Sequence, residues 1–253
     1  MDIITCFKWV IDEAYIKVGP SRELDLGWVD YKLSDYDRNA IEEAMRLKDL
    51  DGGKVVAVTV GPPEATKGLK DALSRGPDEA IFINDPAFSD LEPSQTASIL
   101  AEVIGSRLKY DLILCGEGSS DLYAQQVGPR VAELLGIPCI SFVSRLEVKD
   151  RQVTAERKME DGTEVVTAQL PALITVLPDI NSPRIPGLKD TLAASKKPVT
   201  DITGEELKSI PESYLETREV AANTMERQCI KFNPDAAGIK GLVEALLKDG
   251  VIG

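Results

Sequence analysis

The sequence predicts an α/β protein: a doubly wound, mostly parallel sheet with antiparallel strands added at one edge and an extended C-terminal arm. Three observations carry this. Strand-like runs alternate with amphipathic helical patterns four times over the first half of the chain, as a right-handed parallel winding requires. Residues 54–60 form a continuous β-branched run, the pattern of a strand covered on both faces. The third is Asp111-Leu-Ile-Leu-Cys-Gly-Glu-Gly-Ser-Ser-Asp-Leu-Tyr-Ala-Gln-Gln-Val-Gly-Pro129, an apolar strand that breaks into a Gly/Ser turn and then opens a helix. Such a turn places free N–H groups, hydroxyls and a positive helix end where a phosphate can sit. It matches neither G-x-G-x-x-G nor the Walker pattern, so an ordinary strand-to-helix loop remains an alternative at this point.

The elements follow in order. Residues 3–10 read as the first strand, followed by an extended stretch through Gly19-Pro20 and residues 24–29. Ser34 or Asp35 caps a helix that carries Ile41, Ala44, Leu47 and Lys48 at helical spacing. The second strand, 54–60, ends at Gly61-Pro62-Pro63, which starts a helix with Leu69, Ala72 and Leu73 on one side. Gly76-Pro77 stops that helix before a strand at 79–83. Pro93 suits the first turn of a helix with Ala97, Leu100, Ala101, Ile104 and Leu108 on its apolar face. A strand at 112–115, the Gly/Ser loop and a helix presenting Val127, Val131, Leu134 and Leu135 complete the winding, which Gly136 and Pro138 end. The rhythm then changes to strand-like runs at 139–148, 152–158, 164–168 and 172–177, with Asp161-Gly162 as a hairpin turn. These are expected as antiparallel edge strands. The sequence is polar beyond Lys197 until an amphipathic helix with Leu242, Val243, Leu246 and Leu247. The expected organisation is a nucleotide-binding domain at 1–197 and a partner-wrapping arm at 198–253.

Composition narrows the function. The 253 residues are 43% hydrophobic, and their net charge of −13 disfavours nucleic acids and anionic membrane surfaces. With no apolar run long enough for a membrane span, the sequence predicts an intracellular, cytoplasmic protein. Cys6, Cys115, Cys139 and Cys229 are widely spaced and read as buried reduced thiols. There is no histidine, which excludes Ser-His-Asp triads, Cys-His dyads and His-ligated metals, so any chemistry falls to a cofactor.

Ligands of doubly wound sheets bind at the carboxyl ends of the strands. Three such ends converge: residues 5–8, Val60-Gly61-Pro62, and residues 116–128. Gly118 permits close backbone approach, Ser119 and Ser120 offer hydroxyls to a phosphate, and Asp121 and Gln126 suit ribose hydroxyls or adenine edges. Tyr123 is either a helix-start packing residue or a stacking one, and Lys8 either a surface lysine or an anion-steering one. Nothing supplies a nucleophile-base pair or a magnesium carboxylate with a phosphate lysine, so tight nucleotide binding suits the set better than hydrolysis.

The chain resembles the beta subunit of electron-transfer flavoproteins over nearly its whole length, and most closely the FixA branch linked to anaerobic carnitine or acyl-CoA reduction. The resemblance rests on Ile4-Thr-Cys-Phe-Lys8, Asn39-Ala-Ile-Glu-Glu-Ala44 with Arg46-Leu-Lys48, Val58-Thr-Val-Gly-Pro62, Asp71-Ala-Leu-Ser-Arg-Gly-Pro-Asp-Glu79, residues 116–129, and Leu170-Pro171 through Asn181-Ser-Pro-Arg184 to Lys196-Lys-Pro198. It implies a Rossmann-like sheet of the adenine-nucleotide alpha-hydrolase type and a heterodimer with a FixB-like alpha subunit that holds an FAD mainly by itself. It also implies that this chain's pocket takes structural AMP or, in bifurcating members, a second FAD reduced by NADH. Cys6, Ser34, Tyr36, Asp37, Val60 and residues 118–128, among them Gln125, Val127 and Gly128, correspond to that pocket. Gln126-Val-Gly-Pro129 and Val60-Gly-Pro-Pro63 lean toward FAD, whereas Asp121-Leu-Tyr-Ala-Gln-Gln126 departs from the Asp-Gly-Asp-Thr-Ala-Gln of bifurcating members.

Leu188, in Ile185-Pro-Gly-Leu-Lys-Asp-Thr-Leu192, corresponds to the leucine that anchors an acyl-CoA dehydrogenase partner. Without the resemblance it reads as a helix core residue. A quinone-linked acceptor is the other partner class that the family implies. Two other classes fit the sequence less well. A nucleotide sensor of the universal-stress type leaves residues 181–197 and the long tail without a purpose. An adenylating pyrophosphatase needs an S-G-G-x-D-S loop after the first strand, where Thr5-Cys-Phe-Lys8 stands.

Overall fold

The structure, a computed structural model, describes residues 1–223 and 229–252. In chain order the strands are β1 (Asp2–Cys6), β2 (Trp9–Ile11), β3 (Lys17–Val18), β4 (Leu24–Asp25), β5 (Tyr31–Leu33), β6 (Lys54–Gly61), β7 (Glu79–Asn84), β8 (Leu112–Gly116), β9 (Cys139–Lys149), β10 (Gln152–Met159), β11 (Gly162–Gln169), β12 (Ala172–Val176) and β13 (Val199–Thr203). The helices are α1 (Asp35–Asp51), α2 (Thr66–Ser74), α3 (Pro93–Arg107), α4 (Val127–Leu135), α5 (Leu188–Ala194) and α6 (Ala236–Lys248).

Nine strands form one sheet in the order β11-β10-β9-β12-β8-β1-β6-β7-β13. The ladders from β9 across to β13 are parallel, and β10 and β11 are antiparallel additions at one edge. The expected α/β class with a mostly parallel sheet is what the chain adopts. From β1 the chain winds outward to β6 and β7, then returns to β8 on the other side of β1. The strand order therefore reverses at β1, and the crevice beyond the carboxyl ends of β1 and β8 is the switch point where such sheets take ligands.

Alternating residues feed two cores, because successive side chains of a strand point to opposite faces. Ile3, Val55, Ala57, Leu112 and Leu114 pack on one face with Ala40, Ile41 and Ala44 of α1 and Leu69, Ala72 and Leu73 of α2. Ile4, Val56, Val58, Ile113 and Leu173 pack on the other with Ala97, Leu100 and Ile104 of α3 and Val131 and Ala132 of α4. Helix ends follow the local signals. Pro93 opens α3 beside a Glu92/Gln95 capping box, and Gly136 ends α4 in the left-handed conformation (φ 66°).

Several expectations need correction. The first strand stops at Cys6, because the Lys8 N–H turns away to a side chain, and Trp9–Ile11 pairs with Tyr31–Leu33 instead. Residues 172–176 are not an antiparallel edge strand. They insert between β8 and β9, parallel to both and wholly buried, as their unbroken Ala-Leu-Ile-Thr-Val run permits. The hairpin turns at Glu160-Asp161, with Gly162 already paired to Met159. Sequence reading ends the first domain at 197, whereas Val199–Thr203 pairs with β7 as the far strand of the sheet. Only Cys6 and Cys115 of the four free thiols are buried; Cys139, at the start of β9, and Cys229 are exposed.

The chain divides into two compact units. One comprises residues 1–17 and 26–218 and holds the nine-stranded sheet. The other comprises 18–25 and 219–253, in which the Ala222 N–H donates to the Arg22 carbonyl at 3.0 Å. Here Asp235 caps α6 by accepting from the Gly238 N–H at 2.7 Å. No residue of α6 is buried, and Ile239, Leu242, Val243 and Leu247 are exposed.

Candidate functional site

Four segments meet around the switch point: the end of β1, the first turn of α1, the end of β8 and the loop that runs on to α4. Asp37 joins three of them. Its buried carboxylate accepts the Lys8 N–H at 2.8 Å and the Gly116 N–H at 3.3 Å, and Ser34 also bonds to it. Burial pushes its pKa up to about 7, against the opposing pull of those N–H groups, the Lys8 ammonium and the Ser34 hydroxyl. Asp37 was expected to line the pocket. Both of its oxygens accept backbone N–H groups, so it braces the strand ends beneath the loop.

The loop is tied to α1 by a reciprocal pair. The Asp35 N–H donates to Ser120 Oγ at 3.1 Å, and the Ser120 N–H donates to Ser34 Oγ at 3.3 Å. Above this pair Lys8 Nζ lies 2.6 Å from Asp121 Oδ2. Burial works against the Asp121 carboxylate, but the Lys8 charge and hydrogen bonds from Ser119 and the Leu122 N–H hold its pKa below the usual range. Lys8 is thus committed to a carboxylate of the same loop.

Tyr36 and Tyr123 stand ring to ring, with centroids 5.2 Å apart and planes tilted by 39°. The Tyr123 hydroxyl donates to Glu117, whose carboxyl burial pushes upward; this bond, aided by burial, pushes the Tyr123 hydroxyl up to about 12. The Gln125 side chain also bonds Tyr123. Tyr123 (φ 47°) and Gln125 (φ 57°) both have left-handed backbones, an unusual pair of non-glycine residues in one short loop. Beneath the loop, Cys6 at the end of β1 and Cys115 near the end of the adjacent β8 hydrogen-bond, which with burial raises the Cys115 thiol well above its ordinary value.

Two glycines are required by close approach. A Cβ on Gly118 would lie 2.8 Å from the Tyr123 ring. One on Gly116 would lie 2.7 Å from Asp37 Oδ1 and Tyr36 Cβ, and 2.9 Å from the Tyr36 carbonyl carbon. Gly116→Ala is therefore expected to lower stability by about 1–3 kcal/mol, because backbone must shift to admit the methyl group. Thermal unfolding checks this, and an unchanged midpoint would show that the loop and α1 are not in fixed contact.

Of the expected pocket residues, the structure gathers Cys6, Ser34, Tyr36, Asp37, Ser119, Ser120, Asp121, Tyr123 and Gln125 around the end of β8. Gln126 bonds Arg130 and precedes Val127, the first residue of α4, while Gly128 packs against Thr175 of β12. Val60, Gly61 and Pro62 arrive from the other side of β1, about 10 Å from β8 by strand spacing. Glu117 was missed: between two glycines it reads as a loop residue, and its burial depends on β12, whose Val176 carbonyl accepts the Glu117 N–H at 3.1 Å.

The donor set fits an adenine nucleotide. No side chain caps the first turn of α4, which leaves the N–H groups of Val127 and Gly128 without a capping acceptor at the positive end of the helix, and Gly118, Ser119 and Ser120 lie in the loop that leads to it. There a flavin or AMP would be held by residues 118–128 through neutral donors, with Lys8 as the nearby cation.

A second polar assembly holds residues 181–188. Asn39 Nδ2 donates to the carbonyls of Pro178 and Asn181 at 2.9 and 3.0 Å, and Asn181 returns bonds to the Asn39 carbonyl and Glu43, both at 3.0 Å. Arg184 Nε donates to Glu42 at 2.8 Å. Arg75 holds the Arg184 carbonyl at 3.0 Å, and Lys197 Nζ donates to the carbonyls of Leu73, Gly76 and Pro77 at 2.9, 3.0 and 2.6 Å. With its base so fixed, the segment leaves Ile185 92%, Leu188 78% and Leu192 59% exposed. Leu188 and Leu192 are one helical turn apart on α5. Leu188 is therefore no core residue of the described fold.

Among the described residues, no helix is long and apolar enough to cross a membrane. The model of the electron transfer flavoprotein domain matches residues 28–207, which takes in α1, the loop at the switch point and the clamped segment with Leu188. Proteins of this family bind flavin or AMP and pair with other subunits of the flavoprotein and with dehydrogenases. The match spans well over half of the sequence, and the chain belongs to the electron transfer flavoprotein family.

Proposed function

We propose that this chain is the beta subunit of a cytoplasmic, heterodimeric electron-transfer flavoprotein of FixA type, partnered by a FixB-like alpha subunit that holds a further FAD. The carrying observation is the uncapped start of α4 set behind a Gly/Ser loop at the switch point, within the part of the chain that the family model matches. This pocket takes an adenine nucleotide, with FAD preferred to AMP on the wording of residues 126–129 and 60–63. The flavin supplies the redox chemistry when bound, and NADH is the donor if the protein bifurcates electrons. The chain's own residues bind and orient: residues 118–128 with Val60, Gly61 and Pro62 hold the nucleotide, and Asp37 keeps the strand ends in register beneath it. Leu188 docks an acyl-CoA dehydrogenase-type or quinone-linked partner, supported by its exposure on a rigidly clamped base. The segment after Arg218 wraps the alpha subunit, supported by the apolar side chains that α6 leaves exposed.

The test is to co-purify the chain with its alpha partner, release bound nucleotides by denaturation and count them. Two FAD per heterodimer place a flavin in this pocket; one FAD with one AMP makes the chain a structural scaffold. Absence of both partner and nucleotide overturns the reading.

A further inference from the structure

We infer that the groove between α2 and α5 is the charged half of the docking surface and receives acidic side chains that ring the apolar pocket of the dehydrogenase partner. The inference rests on the reading of Leu188 as a docking residue and adds the partner's charge chemistry to it. The groove encloses about 390 Å³ and is lined by Lys67, Lys70, Asp71, Ser74, Pro186 and Thr191. It is continuous with the docking segment, since Pro186 stands two residues before Leu188 and Thr191 three after it.

The charges are unevenly committed. Asp71 is held by Arg75 at 3.0 Å, and Asp190 accepts the Gly187 N–H at 2.8 Å. Lys67 and Lys70 are exposed, and neither has a carboxylate partner among the described residues. Lys189 and Lys196, on and just beyond α5, are likewise exposed and without an ion pair. Two uncommitted ammonium groups thus line the groove, and two more stand on and just beyond α5, on a chain whose net charge is −13. The acidic remainder repels nucleic acid and a second copy of this chain, so a local basic patch selects a surface whose own acidic groups lie opposite it.

The groove is also pre-shaped. Lys197 and Arg75 fix the end of α2 to the residues around α5, so the two walls move as one. Little ordering cost is left for binding. Rim charges of this kind act chiefly on the rate of encounter and its dependence on salt, whereas the buried apolar anchor governs the lifetime of the complex.

The experiment uses the purified heterodimer with its flavin reduced by dithionite and an oxidised acyl-CoA dehydrogenase, with the second-order rate of electron delivery to the dehydrogenase followed by stopped flow from about 20 to about 500 mM NaCl. The wild-type rate is expected to fall about tenfold over that range. Lys67→Glu with Lys70→Glu should lower the low-salt rate about tenfold and flatten the salt dependence, with the rate at saturating dehydrogenase unchanged. Lys67→Ala with Lys70→Ala should fall between the two, and circular dichroism of each variant checks its fold. Leu188→Ala should slow delivery at every salt concentration. A wild-type rate indifferent to salt overturns the inference, as does a charge-reversed variant that behaves as wild type while Leu188→Ala is slow; the docking reading then stands. If Leu188→Ala is also as fast as wild type, the docking reading itself falls.

Discussion

Leu188→Ala should slow electron delivery to the dehydrogenase about 30-fold while leaving nucleotide content and folding intact. An apolar anchor seated in a partner's pocket typically contributes about 2 kcal/mol or more, and 2 kcal/mol corresponds to roughly that factor. The fold should not register the change, because Leu188 is 78% exposed and surface truncations away from caps and cores stay within about 0.5 kcal/mol. The Gly187–Asp190 cap of α5 also runs through the backbone N–H of Gly187 and does not involve the leucine. Stopped-flow delivery rates, together with FAD and AMP counts on the same preparation, check the prediction. A rate within twofold of wild type would place the docking contact elsewhere.

The second large effect is expected at Asp37. Its pKa of about 7 in the folded protein, against an ordinary value of 3.8, means that the folded state holds a proton between those limits that the unfolded chain has released. Stability should therefore fall as pH rises through this window, by up to about 1.4 kcal/mol per pH unit, and level off above pH 7. Carboxylates with lowered values, such as Asp78 and Asp121, act with the opposite sign and lose their contribution as pH falls through their folded pKa. A comparison with Asp37→Asn isolates the group. Asparagine accepts one of the two N–H bonds and sets its own N–H₂ against the other, so wild type should be the more stable at pH 5. That advantage should shrink by about 1.4 kcal/mol or more by pH 8. Asp37→Ala leaves the Lys8 and Gly116 N–H groups without a partner and should cost about 2–5 kcal/mol at either pH. Urea unfolding at the two pH values measures all three proteins. A gap between wild type and Asp37→Asn that does not change with pH would mean that the carboxyl is solvated and ionised throughout.

The parts of the fold that the sequence revealed are those written locally. The apolar run at 54–60, the Gly/Ser loop at 116–120, Pro93 and Gly136 each act through their immediate neighbours, and the corresponding elements lie where these residues place them. Residues 172–176 show the limit: an unbroken apolar run says that both faces are covered, but not which strands cover them, and so the interior position beside β8 was read as an edge. Val199–Thr203 was missed for the opposite reason. An edge strand with only Ile202 buried looks like a polar linker until β7 is there to pair with it. At the switch point, the loop that carries Gly118, Ser119 and Ser120 is legible in the sequence, whereas the bonds of Asp37 are not, because they are made to backbone groups 29 and 79 residues away. The same holds for the Asn39–Asn181 and Glu42–Arg184 pairs, whose partners lie 142 residues apart in sequence. In their case the family resemblance marked the right residues without saying that they touch.

Helix α1 gives its first turn to the switch point through Ser34, Tyr36 and Asp37, and its next turns to the clamped segment through Asn39, Glu42 and Glu43. At 1.5 Å per residue, Asp37 and Glu42 are about 7.5 Å apart along the axis, with no joint between them. The helix therefore works as a ruler, and what it measures is the offset between the switch-point loop and the clamped segment that carries Leu188. Inserting one residue between Asp37 and Glu42 would turn the clamp about 100° around the axis relative to the loop. Changes of spacing between these two sites must accordingly come from the loops on either side, and the length of α1 between them is the quantity that variation cannot touch.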